Sequence, residues 1–90
     1  MELDESKISE LHARLAADGA DVEAHFQLGC AYLESGRFME AVASLRRAVE
    51  LSPDYADAWT KLAEAYDKVG IEKEAKVARL TAARVAGTVF

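Results

Sequence analysis

The sequence contains few residues that cross-link or interrupt a chain: one cysteine, one proline and five glycines among 90 residues. Its single cysteine, Cys30, excludes an intrachain disulfide and a metal site built from cysteines. No apolar run approaches the roughly 18 residues that a membrane-spanning helix requires. The acidic N-terminus also lacks the pattern of a signal peptide. We therefore expect neither a disulfide framework nor a membrane protein, and we expect a cytoplasmic location.

Clustered positive charge is also scarce. The 16 acidic and 11 basic residues give a net charge of -5, which makes nucleic acid an unfavourable partner. The charge is divided unevenly, with -8 on residues 1–67 and +3 on residues 68–90. The basic end is either a solvated helix face or an acceptor for acidic groups, including those of another copy of the chain.

Alanine is abundant, at 18 of the 90 residues. Because alanine has the highest helix propensity, and because proline and glycine are scarce, the composition favours helices over strands. The 51% of hydrophobic residues and 30% of charged residues are typical of a globular protein. The sequence thus predicts a small all-α protein.

A segment of the chain is duplicated with a period of 34 residues. When residues 22–48 are aligned with residues 56–82, eight of the 27 pairs are identical. Within each copy, apolar residues recur at spacings of three and four on both sides of a glycine, Gly36 or Gly70. Each copy is therefore predicted to form a hairpin of two helices.

The connections and ends of these helices have their own signals. A turn is predicted at residues 52–54, where the proline stands. Asp54 is predicted to be the N-cap of the following helix, with Asp57 in its first turn. Gly87 is predicted to end the last helix.

A lone helix is predicted over residues 5–18, where Ile8, Leu11 and Leu15 form an apolar stripe and Asp4 is a candidate N-cap. The chain is thus predicted to form five helices in a single domain. Its parts are the lone helix at 5–18, repeats at 22–55 and 56–86, and a tail at 87–90.

The repeated residues resemble the tetratricopeptide repeat, whose signature is W-x-x-L-G-x-x-Y, then A-x-x-x-F and a later proline. The first copy has His25-x-x-Leu28-Gly29-x-x-Tyr32, and the second has Trp59-x-x-Leu62-Ala63-x-x-Tyr66. The resemblance covers residues 22–86. Four positions depart from the signature: His25, Ala63, Arg79 and Gly87. The resemblance implies a right-handed α-solenoid of antiparallel helix hairpins that acts as a protein-protein interaction scaffold.

Polar residues replace apolar ones on the last predicted helix. Phe38, Val42 and Leu45 of the first copy correspond to Glu72, Lys76 and Arg79 of the second. Because burying three unpaired charges costs several kcal/mol, we expect this face to stay in water as the end of the array. The alternative, a fragment of a longer array, stays open.

The reactive side chains do not form a catalytic or metal-binding pattern. Cys30 and His25 lie on one predicted helix about 140° apart around its axis, so they do not face each other. The two histidines and the cysteine lack metal-ligand spacing, and the sequence has no phosphate-binding or nucleophile motif. We expect no enzyme activity, no cofactor and no metal.

The resemblance implies a concave groove, lined by the first helix of each repeat, that binds extended peptides or partner helices. The candidate groove residues are Glu23, Phe26, Cys30, Leu33, Asp57, Thr60, Lys61 and Glu64. An apolar strip of Phe26, Cys30 and Leu33 beside acidic Asp57, Glu64 and Asp67 predicts a protein or peptide partner with an apolar anchor and basic residues. The alternative is that Phe26 and Leu33 pack on the lone helix and leave no groove open.

Two further functions are considered on the same residues. A carboxylate clamp for the acidic tails of heat-shock chaperones needs several basic groove residues. Among the matching positions Phe26, Gln27, Cys30 and Lys61, only the last is basic. A self-associating structural block, as a homodimer or larger oligomer, is the alternative to peptide binding. Its interface would be the stacking surface or the Val89-Phe90 tail.

Overall fold

The computed structural model describes residues 5–87. Within this range the chain forms five α-helices and no strand: α1 (Glu5–Ala17), α2 (Val22–Glu34), α3 (Phe38–Leu51), α4 (Ala56–Val69) and α5 (Glu72–Val85). The prediction of an all-α fold with five helices is confirmed. The candidate N-cap Asp4 and the Val89-Phe90 tail lie outside the described residues.

The two hairpin turns have the same backbone geometry. Gly36 and Gly70 adopt φ values of 81° and 82°, in the left-handed region that glycine occupies without steric cost. The next amide in each turn donates to a carbonyl five residues back, from Arg37 to Tyr32 and from Ile71 to Tyr66, at 2.9 Å in both. This is the Schellman ending of a helix, and it turns the chain into the second helix of each hairpin.

The connection between the hairpins corrects one expectation. Helix α4 begins at Ala56 with Tyr55 as its N-cap, so the prediction that Asp54 caps this helix is wrong. The Asp54 carboxylate instead accepts a hydrogen bond of 3.2 Å from the Ser52 hydroxyl. The turn therefore runs one residue further than its sequence indicates. The Asp54 carboxylate bonds within the turn and does not cap α4. Asp57 lies in the first turn of α4, as predicted.

Helix α1 is attached to α2 by packing and by an ion pair. Ile8 and Leu11 of the predicted apolar stripe are buried. At the α1–α2 connection, Asp21 accepts from the Ala24 amide at 3.1 Å and caps α2. The Arg14 guanidinium donates two hydrogen bonds of 3.1 Å to the same carboxylate. Asp21 thus orders the start of α2 and ties α1 to it.

The core is one continuous cluster that runs through the stacked helices. Five of its alanines are fully buried at 0% exposure: Ala24, Ala41, Ala48, Ala58 and Ala65. Small side chains at these positions let the helix axes approach. Larger predicted core residues differ in burial. Tyr32 and Leu45 are buried, and Trp59 and Tyr66 are partly buried against the cluster.

The polar face of α5 is exposed, as expected for Glu72, Lys76 and Arg79. Arg79 donates a 2.9 Å hydrogen bond to Asp67 of α4. That bond lowers the pKa of the Asp67 carboxyl and raises the pKa of Arg79. The two charges therefore compensate each other on the surface that the sequence predicts to be the end of the array.

Candidate functional site

Helices α2 and α4 lie side by side, because α2 contacts α4 as well as α3. We call the surface that bears the eight predicted groove residues of these helices, together with Tyr55, the inner face. On α2 the predicted residues follow helical spacing, so Phe26 and Leu33 lie within about 20° of each other around the axis. The Tyr32 hydroxyl, which is 3.2 Å from His12 Nε2 of α1, projects about 120° away from Phe26.

An aromatic pair forms the centre of the inner face. The rings of Phe26 and Tyr55 have centroids 4.9 Å apart and are tilted by 37°, a favourable offset arrangement. The Tyr55 hydroxyl donates a 3.0 Å hydrogen bond to Glu23 at the start of α2. This contact places Phe26 against the α3–α4 connection, so the ring is half-buried beside a carboxylate.

Tyr55 is not among the groove residues that the sequence predicts. It stands in a turn, 32 residues from Glu23, and no periodicity connects the two positions. Burial, the hydrogen bond to Glu23 and the charges of Glu23 and Asp57 raise the pKa of Tyr55 to about 12. The phenol therefore stays protonated at neutral pH and donates to the acidic side of the face.

Cys30 lies half-buried one helical turn from Phe26. Burial raises the pKa of the Cys30 thiol, the charges of Glu34, Glu64 and Glu23 raise it further, and the charge of Lys61 opposes them. The thiol is thus neutral at physiological pH, which does not suit a nucleophile. The charges that act on Cys30 belong to both α2 and α4.

The acidic side chains of the inner face have local partners. The Gln27 amide donates to Glu23 at 3.0 Å, and Lys61 Nζ lies 3.7 Å from Glu64. Both pairs are solvent-exposed, and such pairs are weak and readily exchanged. The face therefore presents several carboxylates with Lys61 as its cation, and these carboxylates remain accessible to a partner's basic groups.

Three predicted residues contribute differently. Asp57 is exposed in the first turn of α4, where it acts on Tyr55 through its charge. The exposed Thr60 hydroxyl donates to the Ala56 carbonyl of its own helix at 3.2 Å. Leu33 is half-buried and packs against the core. Asp67, which the sequence grouped with the acidic patch, is paired with Arg79 and leaves that patch.

The histidines serve the packing of the helices. His25 Nε2 lies 3.0 Å from the Gly19 carbonyl, so this nitrogen carries a proton and closes the α1–α2 connection. Within residues 5–87, no group of three His, Cys, Asp or Glu side chains is placed to hold a metal ion. Over the same residues, each helix is too short or too polar to cross a membrane.

Comparisons with known proteins identify relatives of the chain. The TPR repeat family matches residues 29–70. Tetratricopeptide repeat protein 37 of Xenopus laevis is 40% identical over 68 residues, which are 76% of this chain and 4% of that protein. The chain therefore spans only a small part of this relative.

Solved structures show the same fold. The crystal structure of MamA superposes with a TM-score of 0.84 at 21% identity, over 89% of this chain and 47% of that one. A further MamA structure gives 0.83 at 26% identity, over 91% of this chain and 48% of the other. The chain thus spans less than half of these structures.

The matched region contains the residues that define the repeat. Residues 29–70 include Tyr32, Gly36, Trp59 and Tyr66, and the two glycine turns share one backbone geometry. The 34-residue period, the paired hairpins and the relatives agree with one another. This chain belongs to the tetratricopeptide repeat family.

Proposed function

We propose that the inner face binds a segment of a partner protein that carries an apolar anchor flanked by basic residues. Tetratricopeptide repeat proteins mediate protein-protein interactions. The finer proposal concerns which surface of this chain binds and what it recognises. The observation that carries it is the half-buried Phe26–Tyr55 pair, which adjoins the carboxylates of α2 and α4.

The aromatic pair supplies the apolar part of the surface. Aromatic side chains present large, rigid areas, and they are enriched among residues that dominate binding energy. Tyr55 is held by its bond to Glu23, so it loses little freedom when a partner arrives. An aliphatic or aromatic anchor packed on Phe26 and reaching toward Cys30 would remove both from water.

The charge of the surface sets the second requirement. The charges of Glu23, Glu34, Asp57 and Glu64 raise the pKa of Cys30 or Tyr55, whereas Lys61 is the cation that lowers the pKa of Cys30. Lysine or arginine beside the anchor would complement these carboxylates, and an acidic partner would be repelled. The charges are expected to accelerate association and to make it depend on salt.

Three peptides test this recognition. Acetyl-Ser-Lys-Leu-Phe-Lys-Ser-amide is compared with the peptides in which both lysines are replaced by glutamine or by glutamate. In NMR spectra the lysine peptide should shift the amide resonances of Phe26, Cys30 and Tyr55 together. It should also slow alkylation of Cys30. We expect affinity to fall in the order lysine, glutamine, glutamate.

Two matched pairs of variants separate recognition from folding. Phe26→Ala should weaken binding of the lysine peptide about tenfold, as truncation of a central anchor does. Phe38→Ala removes another half-buried ring but should leave affinity unchanged. Glu64→Gln should reduce affinity and its salt dependence, whereas Glu10→Gln on α1 should not.

A different outcome would favour the structural alternative. Equal binding of all three peptides would refute the proposed charge recognition. Shifts confined to residues 68–87 would place binding elsewhere. A dimer in light scattering that dissociates on Phe26→Ala would identify the inner face as a self-association surface instead.

A further inference from the structure

A second groove, of about 470 Å³, opens on the opposite side of α4. Its floor is formed by Trp59, Leu62 and Tyr66, which lie about 180° around the helix axis from Lys61 and Glu64. Helices α3 and α5 form the two walls. We call this feature the outer groove, and it is independent of the inner face.

The walls of the outer groove combine apolar and charged side chains. Val49, Arg46 and Glu50 of α3 stand on one side, and Val77, Ala78, Lys73 and Glu74 of α5 stand on the other. Val77 is 57% exposed, and Leu80, one turn further along α5, is 65% exposed. The apolar surface therefore continues out of the groove and along α5.

The first repeat shows what is unusual about this groove. The position of Arg46 corresponds to His12, and the position of Tyr66 corresponds to Tyr32. His12 of α1 and Tyr32 of the first repeat contact each other, because His12 Nε2 lies 3.2 Å from the Tyr32 hydroxyl. The corresponding groups, the Tyr66 hydroxyl of the second repeat and Arg46 of α3, make no hydrogen bond or ion pair among residues 5–87.

The carboxylates in the groove do not take up these donors. Glu50 is paired with Arg47 at 3.4 Å. Glu74 corresponds to Glu40, which the Arg37 guanidinium holds with two hydrogen bonds of 2.8 and 2.7 Å, but residue 71 is isoleucine. Within the described residues Glu74 is thus unpaired, as is its neighbour Lys73. The groove lining thus holds two cations, Arg46 and Lys73, and the Tyr66 hydroxyl beside two carboxylates, of which Glu50 already has Arg47 as an ion-pair partner.

We propose that the outer groove binds a segment of a partner protein in which an aliphatic or aromatic side chain stands beside a carboxylate. The apolar side chain fills the space over Trp59 and Leu62 and against Val77. The carboxylate accepts hydrogen bonds from Arg46, Lys73 and the Tyr66 hydroxyl. The charge preference is the reverse of that proposed for the inner face. The same partner segment is therefore not expected to bind both surfaces.

Trp59 is the only tryptophan of the chain and reports this groove directly. Its fluorescence is followed while acetyl-Ser-Glu-Leu-Phe-Glu-Ser-amide and the matched glutamine and lysine peptides are added to the full chain. The glutamate peptide should change the emission and move the amide resonances of Arg46, Lys73 and Val77. It should bind about fivefold more tightly than the glutamine peptide, as expected for exposed charge pairs.

Variants at exposed positions test the contacts without disturbing the core. Val77→Glu removes apolar surface and adds repulsion, so it should abolish the fluorescence response to the glutamate peptide. Met39→Glu is the control, because Met39 is also exposed, at 65%, but does not line the outer groove. This variant should keep the fluorescence response. Arg46→Gln should remove the preference for glutamate over glutamine.

Several results would overturn the proposal. One is an unchanged Trp59 signal at peptide concentrations up to about 1 mM, where even weak specific contacts are occupied. Another is tighter binding of the lysine peptide at this site. A wild-type dimer that Val77→Glu dissociates would show that a second copy of the chain occupies the groove. Failure of peptide binding at the inner face would not affect this test, because Trp59 fluorescence with the glutamate, glutamine and lysine peptides reports only the outer groove.

Discussion

Replacing Gly29 by alanine is expected to destabilise the protein, although alanine is the better helix former. Gly29 lies in the middle of α2, where a change from glycine to alanine stabilises an ordinary helix by about 1 kcal/mol. A Cβ atom at this position would overlap the Cγ and Cδ2 atoms of Leu45. The gain in helix propensity therefore raises the free energy of unfolding, whereas the overlap with Leu45 lowers it.

The surroundings of Leu45 decide which effect prevails. Its side chain is at 0% exposure within the core, so turning it away from a new methyl group would displace neighbouring core side chains. Overpacking of this kind costs about 1–3 kcal/mol, and overlap with the branching carbon favours the upper end. We expect Gly29→Ala to lower the free energy of unfolding by about 2 kcal/mol, or roughly 10 °C in melting temperature.

The second repeat provides the matched control. Ala63 occupies the position of Gly29, and Arg79 occupies that of Leu45. The Arg79 side chain is 54% exposed and reaches Asp67, so no buried leucine opposes a Cβ at Ala63. Ala63→Gly should therefore destabilise, by about 1–2 kcal/mol, because it loses helix propensity and also the methyl group of a residue that is 1% exposed.

Urea unfolding of four proteins tests the explanation: wild type, Gly29→Ala, Leu45→Ala and the double variant. Leu45→Ala alone should cost about 2–5 kcal/mol. The double variant should be more stable than the sum of the single effects predicts, because the added methyl enters the space that the leucine vacates. A stabilising Gly29→Ala, or strict additivity, would refute the steric reasoning.

Three further measurements follow from the titrating groups. The bond from the Ala24 amide and the Arg14 guanidinium lower the pKa of Asp21, so its contribution to stability should be lost as pH falls below about 4. Asp21→Asn should flatten this acid limb of the pH–stability curve. Ultraviolet titration should show a phenolate transition near pH 12 that is absent in Tyr55→Phe. Because its pKa is raised, Cys30 should react with iodoacetamide at pH 8 more slowly in the folded protein than in urea.

Each of these measurements has a distinct contrary result. An Asp21→Asn variant with an unchanged acid limb would show that other carboxylates govern acid unfolding. A raised folded pKa of Tyr55 stabilises below pH 10, and this contribution is lost between about pH 10 and pH 12, so Tyr55→Phe should weaken that alkaline dependence. Equal alkylation of folded and unfolded Cys30 would contradict the raised pKa of this half-buried thiol.

The helices and their number were predictable because their signals are local. Spacing of three and four marks a buried stripe, and a glycine at the position of Gly36 or Gly70 permits the left-handed turn. The 34-residue period then relates the two hairpins, so an observation on one transfers to the other. The misplaced cap shows the limit: capping preferences favour Asp54, but α4 begins after Tyr55, whose side chain makes no capping hydrogen bond.

The candidate surfaces depend on contacts that local patterns do not encode. The pairing of Phe26 with Tyr55 joins residues of α2 and a turn that are distant in the chain. The removal of Asp67 from the acidic patch follows from an ion pair with α5. Such pairings arise only when the helices stack, because the side chains then meet across different elements.

The sequence by itself determined the helix count, the repeat and the polar end, since each is encoded in spacing and composition along one helix. Only the tertiary structure decided that Tyr55 completes the inner face and that Arg46, Lys73 and Tyr66 surround one groove on the opposite side. The physical cause of both surfaces is packing. The position of α4 between α3 and α5 brings together side chains whose spacing in the sequence does not predict their contact.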